Sequence, residues 1–316
     1  MSFRTLSRGD TSCQSTLSKM TRAKPIPCSG AILLTLVFLM FIPVTGCGGG
    51  ALAPNVGQPT HRQSQEATRG SILPPIGNIN RVVLADLHQK GGWTGYALLR
   101  SGNYSICSTC LPVGPEATWN MVQKVASPSV SESSARFDIG GSEVFTDVLW
   151  NNHIIGDLSS QGLHDSSKTL VPSLRNFVYD VYFLGSNLPV SQALEFDVNQ
   201  FFNGQSFIWG HKCRIAGGNE WDTWNNIKKQ WIPSGIACNP KNDEWNHLVI
   251  EVQRTADDHL LFQSITLNGE KSSINRYDNP TLGMGWYGVT INYQQDGNRN
   301  QAPYSIWLDK LTFSYW

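Results

Sequence analysis

The chain has 316 residues, is formally neutral at pH 7, and only 15% of it is charged. Those values fit one or two globular domains and remove any electrostatic case for a nucleic-acid partner. Eleven Trp and 29 Gly against so few charges favour a turn-rich all-β chain over a helical one.

At the start of the chain, Arg4, Arg8, Lys19, Arg22 and Lys24 precede an apolar run from Ala31 to Ile42, and Val44-Thr45-Gly46-Cys47 follows. A basic lead, a short apolar run and small residues before the cut describe a secretory signal; the run is shorter than the roughly twenty residues of a membrane span. The ending V-T-G-C resembles the bacterial lipobox, which implies cleavage before Cys47 and acylation of that cysteine. The basic lead is long enough that translation starts at either Met1 or Met20. Residues 48–78 are poor in large apolar side chains and lack periodicity, as a flexible linker does. The expected organisation is therefore residues 1–47 as signal peptide, 48–78 as linker and 79–316 as the folded domain. The expected location is the bacterial cell envelope, with contact to the membrane through the N-terminal lipid alone, on the periplasmic or extracellular side.

Within 79–316, short apolar or alternating runs are separated by Gly, Pro, Asn and Asp. The pattern predicts strands over 81–87, 135–139, 176–184, 192–199, 206–209, 221–225, 247–254, 260–267, 287–293 and 305–313. Asn268-Gly269 marks a tight turn into a further strand over 272–275. No stretch repeats apolar residues at helical spacing for a dozen positions, so the fold expected is a two-sheet antiparallel sandwich or jelly roll. Trp245 and Trp307 are assigned to its core. Four cysteines remain in the exported body. Proximity pairs Cys107 with Cys110 and Cys213 with Cys238 as disulfides, and the C-x-x-C of the first pair lacks the βαβ surroundings of a redox motif.

The runs W-N-H-L-V-I-E (245–251), S-I-T-L-N-G (264–269) and W-L-D-K-L-T-F (307–313) resemble strands of the concanavalin A-like lectin/glucanase and laminin-G-like superfamily. A-L-E-F-D-V-N-Q (193–200) and the Trp-x-x-Trp segment are also similar to a group of bacterial lipoproteins of no assigned activity. The likeness covers about 81–316 and implies a jelly-roll sandwich with a polysaccharide or other glycan as partner.

The stretch 191–200 carries the chemistry. Read as a strand, it places Leu194, Phe196 and Val198 on one face and Glu195, Asp197 and Asn199 on the other. Retaining glucanases of the superfamily carry E-x-D-x-E, or E-x-D-x-x-E with a bulge, as nucleophile, assisting carboxylate and general acid/base; their two catalytic carboxyls stand about 5–5.5 Å apart. The resemblance implies nucleophile-like Glu195 and companion Asp197, with Asn199 or Gln200 where the acid belongs. Neither amide donates a proton to a leaving oxygen, a loss worth on the order of 10² to 10⁴ in rate. The expectation is a non-catalytic carbohydrate-binding surface formed by Glu195, Asp197, Asn199 and Gln200, walled by Trp221 and Trp224, since sugar rings stack on indoles.

Two other classes stay open: a glycoside hydrolase of a β-glucan-type polymer using Glu195 with Asp197, and a structural or adhesive surface protein. No cofactor or catalytic metal is implied. Asp257-Asp258 and Asp296-Gly297-Asn298 read as surface turns that leave a structural calcium open. His211, Lys212 and Arg214 form a basic cluster suited to an acidic sugar, and Gly283–Gly288 matches G-x-G-x-x-G without the helix that motif needs.

Overall fold

A computed structural model describes residues 80–98, 118–142, 144–283 and 286–316. The signal, the linker, Cys47, Cys107 and Cys110 lie outside the described residues. Strands are numbered in chain order. Sheet I runs β13 (Glu270–Asp278), β12 (Leu260–Leu267), β11 (Trp245–Arg254), β6 (Asn176–Ser186), β16 (Tyr304–Tyr315), β4 (Ser134–Gly140) and β3 (Thr118–Val125), and β1 (Val82–Leu84) pairs with the end of β16. Sheet II runs β10 (Gln230–Ala237), β9 (Glu220–Asn225), β8 (Gln205–Arg214), β7 (Ser191–Phe202), β15 (Gly288–Gly297), β5 (Asp147–Gly156) and β2 (Trp93–Leu98), and β14 (Thr281–Leu282) pairs with β8. Neighbouring strands within both sheets are antiparallel. The expected all-β sandwich of two antiparallel sheets is what the chain adopts. α1 (Leu170–Ser173) is a single turn beside β7.

The core between the sheets follows from strand alternation. Leu194, Phe196 and Val198 of β7 face Tyr179, Val181 and Phe183 of β6, all at most 1% exposed. An aromatic chain crosses the sandwich: Phe137 of β4 meets Tyr293 of β15 at 5.0 Å, and Tyr293 meets Phe196 at 5.4 Å. Fully burying each such side chain is worth about 1.5–3 kcal/mol.

A phase change in β16 and plain alternation in β11 correct the sequence reading for two tryptophans. In β16 the buried apolar residues are Tyr304, Ile306, Leu308, Leu311, Phe313 and Tyr315, with a step of three in the middle. A bulge there, with Lys310 at φ 49°, shifts the register between Asp309 and Thr312 and swaps the inward face. Trp307, upstream of the bulge, therefore points outward. Trp245 does the same: both tryptophans lie half-buried on the outer face of sheet I, on either side of Leu184 in register, and outside the core cluster.

Cys213 of β8 and Cys238 after β10 are joined by a buried disulfide with a Cα–Cα distance of 5.6 Å, the pairing expected from proximity. It closes a loop of sequence separation 25. A loop of that size restrains the unfolded chain by about 3 kcal/mol. The double variant Cys213→Ala/Cys238→Ala should lose that much in urea unfolding; an unchanged midpoint would show the bridge to be thermodynamically idle.

Candidate functional site

The candidate site is the outer face of sheet II. β7 keeps an unbroken register with β8 from Ala193 to Phe202, so its side chains alternate without a bulge. Glu195, Asp197, Asn199 and Phe201 point outward and Gln200 points in. On β8, Lys212 stands opposite Glu195, Gly210 opposite Asp197 and Ile208 opposite Asn199. On β15, Gln294, Asn292 and Thr290 stand opposite the same three residues. Asn151 of β5 follows in the Asn292 row, Asp222 of β9 in the Lys212 row.

Ion pairs tie the upper half of this face. Lys212 Nζ lies 3.1 Å from Glu195 Oε1 and 2.9 Å from Asp296 Oδ2. Arg214 contacts Asp222 at 2.8 Å and Glu220 at 2.6 Å. Burial, with Asp296 beside it, pushes the Glu195 carboxyl well above the usual range although Lys212 pulls it back. Burial would lower the Lys212 ammonium, but Asp296 and Glu195 hold it above its ordinary value. Asp147 is raised in the same way, by burial and by Asp296.

The lower half is amide-rich. Asp197 accepts the His211 backbone N–H at 3.3 Å and the Asn292 amide at 3.4 Å. Burial pushes Asp197 up to about 7, these two hydrogen bonds opposing it. Asn292 Oδ1 accepts from Asn151 Nδ2, and Asn199 Nδ2 donates to Thr290 Oγ1 at 3.2 Å. That leaves Asn151 Oδ1, Asn199 Oδ1 and Asp222 Oδ1 buried without a hydrogen-bond partner. A buried acceptor left unmet costs about 1–3 kcal/mol, so each is a place where a donor would be welcome.

Aromatic side chains bound the face at two ends. Trp224 of β9 and Trp231 of β10 pack edge to face at 5.2 Å, and Lys212 Nζ lies 5.2 Å from the Trp231 ring centre. Both reach over Gly210: a Cβ there would come within 3.0 Å of Trp224 Cβ and 3.1 Å of the Trp231 ring, with Asp197 Oδ1 at 3.4 Å. The glycine lets the indoles lie down beside the carboxylate. At the other end Trp286 packs edge-on against Phe201 and near His153.

Four of the six residues expected at a sugar surface share this face: Glu195, Asp197, Asn199 and Trp224. The other two do not. Gln200 is fully buried between the sheets, where its amide donates to Val171 O at 2.6 Å and Leu174 O at 3.1 Å and its oxygen accepts from Arg254 Nε at 3.0 Å. Trp221 is fully buried against Phe196, because two positions three apart on a strand face opposite ways. The basic cluster also divides: His211 points into the core, where burial lowers it to about 3, while Lys212 and Arg214 are committed to carboxylates. Asp296 is no surface turn but a buried member of β15.

Asn151, Asn292 and Gln294 complete the face beyond the residues picked out in the sequence, and Lys212, Asp296 and Trp231 join it from the basic cluster, the expected turn and the tryptophan-rich segment. The alternation T-I-N-Y-Q-Q-D over 290–296 carried the signal for three of them. Among the described residues, no group of three or more His, Cys, Asp and Glu is arranged to hold a metal ion.

Fold and face together define an all-β sandwich with a polar, tryptophan-bounded sheet surface. No protein-family model matches the chain, and no curated protein does. Among solved structures, a carbohydrate-binding module of the β-sandwich superfamily is similar at 10% identity and TM-score 0.32, over 70% of this chain and 56% of that one. Peanut lectin is similar at 9% identity and TM-score 0.33, over 71% and 97%. Arcelin-5 of Phaseolus vulgaris, a lectin-like defence protein, is similar at 11% identity and TM-score 0.36, over 72% and 99%.

Proposed function

We propose that the protein is a cell-envelope lipoprotein, acylated at Cys47, whose sandwich binds carbohydrate on the outer face of sheet II without cleaving it. One observation carries the binding reading: Trp224 and Trp231 lie over Gly210 beside Asp197, next to buried amide and carboxylate acceptors that have no partner. A sugar offers both complements at once, C–H faces for indoles and hydroxyl donors for acceptors. The non-catalytic reading rests on Asn199, which occupies the outward position two beyond Asp197 where the shorter glucanase pattern carries its acid.

Calorimetry of the full chain against a broad glycan panel tests this. Binding is expected, and Trp231→Ala should weaken it about tenfold through loss of one stacking platform. No binding by folded protein overturns the proposal. Release of reducing ends from a polymer, abolished by Glu195→Gln, would replace it with a hydrolase.

A further inference from the structure

The charges on the outer face of sheet II do not balance. Asp147, Glu195, Asp197, Glu220, Asp222 and Asp296 stand on its strands, against Lys212 and Arg214. Both cations are spent, Lys212 on Glu195 and Asp296, Arg214 on Glu220 and Asp222. Asp197 is left with hydrogen bonds from neutral groups only, the His211 N–H and the Asn292 amide.

A second observation is independent of charge. Asn199 and Asn151 are 4% and 3% exposed, and the oxygen of each side-chain amide has no partner. Asp222 Oδ1 is in the same position. One donor of the face, Arg214 Nε, also lacks a hydrogen bond but lies 2.8 Å from Asp222; the rest of the unmet capacity is accepting. A ligand that brings further acceptors, as a uronate or a sulfated sugar does, would set anion against carboxylate and leave these oxygens unmet. An ammonium answers every part of the description: it carries three donors, balances the excess of carboxylates, and is attracted by an indole face such as that of Trp231.

We propose that this face selects glycans bearing free amino groups, with the sugar ammonium docked against Asp197 and the neighbouring amide oxygens beside Trp231. The proposal rests on the carbohydrate reading above and adds the class of sugar. Burial raises Glu195, Asp147 and Asp197 together, and Lys212 opposes the rise without cancelling it, which is the response of carboxyls that outnumber their cation. A divalent ion is the competing cation.

The test is calorimetry of the full chain at pH 7, where the Asp197 carboxyl can ionise, with three oligosaccharides of equal length: glucosamine oligomers, their N-acetylated counterparts, and cello-oligosaccharides. A charge-assisted hydrogen bond in place of a neutral one should make the glucosamine oligomer bind about tenfold tighter than the other two. Asp197→Asn, which keeps shape and removes the charge, should bring the ratio to about one. Equal or tighter binding of either neutral oligomer overturns the proposal, whether or not the variant folds. Calcium that binds at this face and displaces the sugar overturns it as well, by giving the carboxylates to a metal. Absence of binding across the whole glycan panel strikes instead at the carbohydrate reading.

Discussion

Arg254→Met will destabilise the fold by about 3–5 kcal/mol, the cost of breaking a buried charged network by removing one partner. Arg254 is 1% exposed at the end of β11 and donates in several directions. Its Nε reaches Gln200 Oε1 at 3.0 Å, its second terminal nitrogen reaches Leu174 O at 3.0 Å and Pro172 O, and its first reaches Asp258. Its guanidinium lies 4.8 Å from the Phe202 ring centre. Methionine fills the space but donates nothing, so the Pro172 carbonyl and the Gln200 oxygen lose their donor, while Leu174 O keeps only the Gln200 amide. At about 1–3 kcal/mol for each orphaned buried acceptor, partial relaxation still leaves the stated range. Urea unfolding measures it. A loss under about 1 kcal/mol would mean that water reaches these carbonyls and that the network is not sealed.

The second large effect is a dependence on pH that belongs to Asp197. Its carboxyl moves from the ordinary 3.8 to about 7 on folding, so between those values the folded chain holds a proton that the unfolded chain has released. Stability from this group is complete below about pH 4 and is lost as pH rises through about 7. The full movement is worth about 4 kcal/mol, and sharing of protons with Glu195 and Asp147 reduces it to about 2–4. His211 works in the opposite sense. Burial lowers it from 6.5 to about 3, so the unfolded chain takes up the proton first and acid destabilises the fold in that window. The two trends offset each other in the parent profile. The difference between Asp197→Asn and the parent removes His211 from the comparison. Chemical denaturation at pH 4.5 and pH 8 should show the variant gaining about 2–4 kcal/mol on the parent across that interval. A flat difference would mean that Asp197 titrates as an exposed carboxylate does.

The sheet architecture was legible because most strands announce themselves by alternation, and 260–267 matches its strand end to end. Of the strands that escaped, β2, β3, β5, β10 and β14, two have plain physical reasons. β10 contains Pro233 and Gly235, which a ladder tolerates only at an edge, and it is the edge of sheet II. β5 carries Asn151-Asn152-His153 in its middle, residues of low strand propensity whose value here is the amide on the outer face.

Half of the site was legible for the same reason and half was not. Period two alone puts Glu195, Asp197 and Asn199 together; it also puts Gln200 inside, against the longer glucanase pattern, which needs a bulge that β7 lacks from Ala193 to Phe202. Likewise Trp221 and Trp224, three apart, could not both wall one face. The cross-strand partners were hidden by distance along the chain: Gln294 stands opposite Glu195, and Asn151 completes the Asp197 row from the other side. Nothing local in the sequence brings these segments together.

β7 is hydrogen-bonded along nearly its whole length to β8 on one side and β15 on the other. Amides held so in the middle of a sheet exchange their protons only when much of the domain opens. The floor of the proposed site therefore does not wait on a loop to assemble it. Little ordering entropy is left to be lost when a ligand arrives, and selectivity is written into a preorganised ladder of side chains.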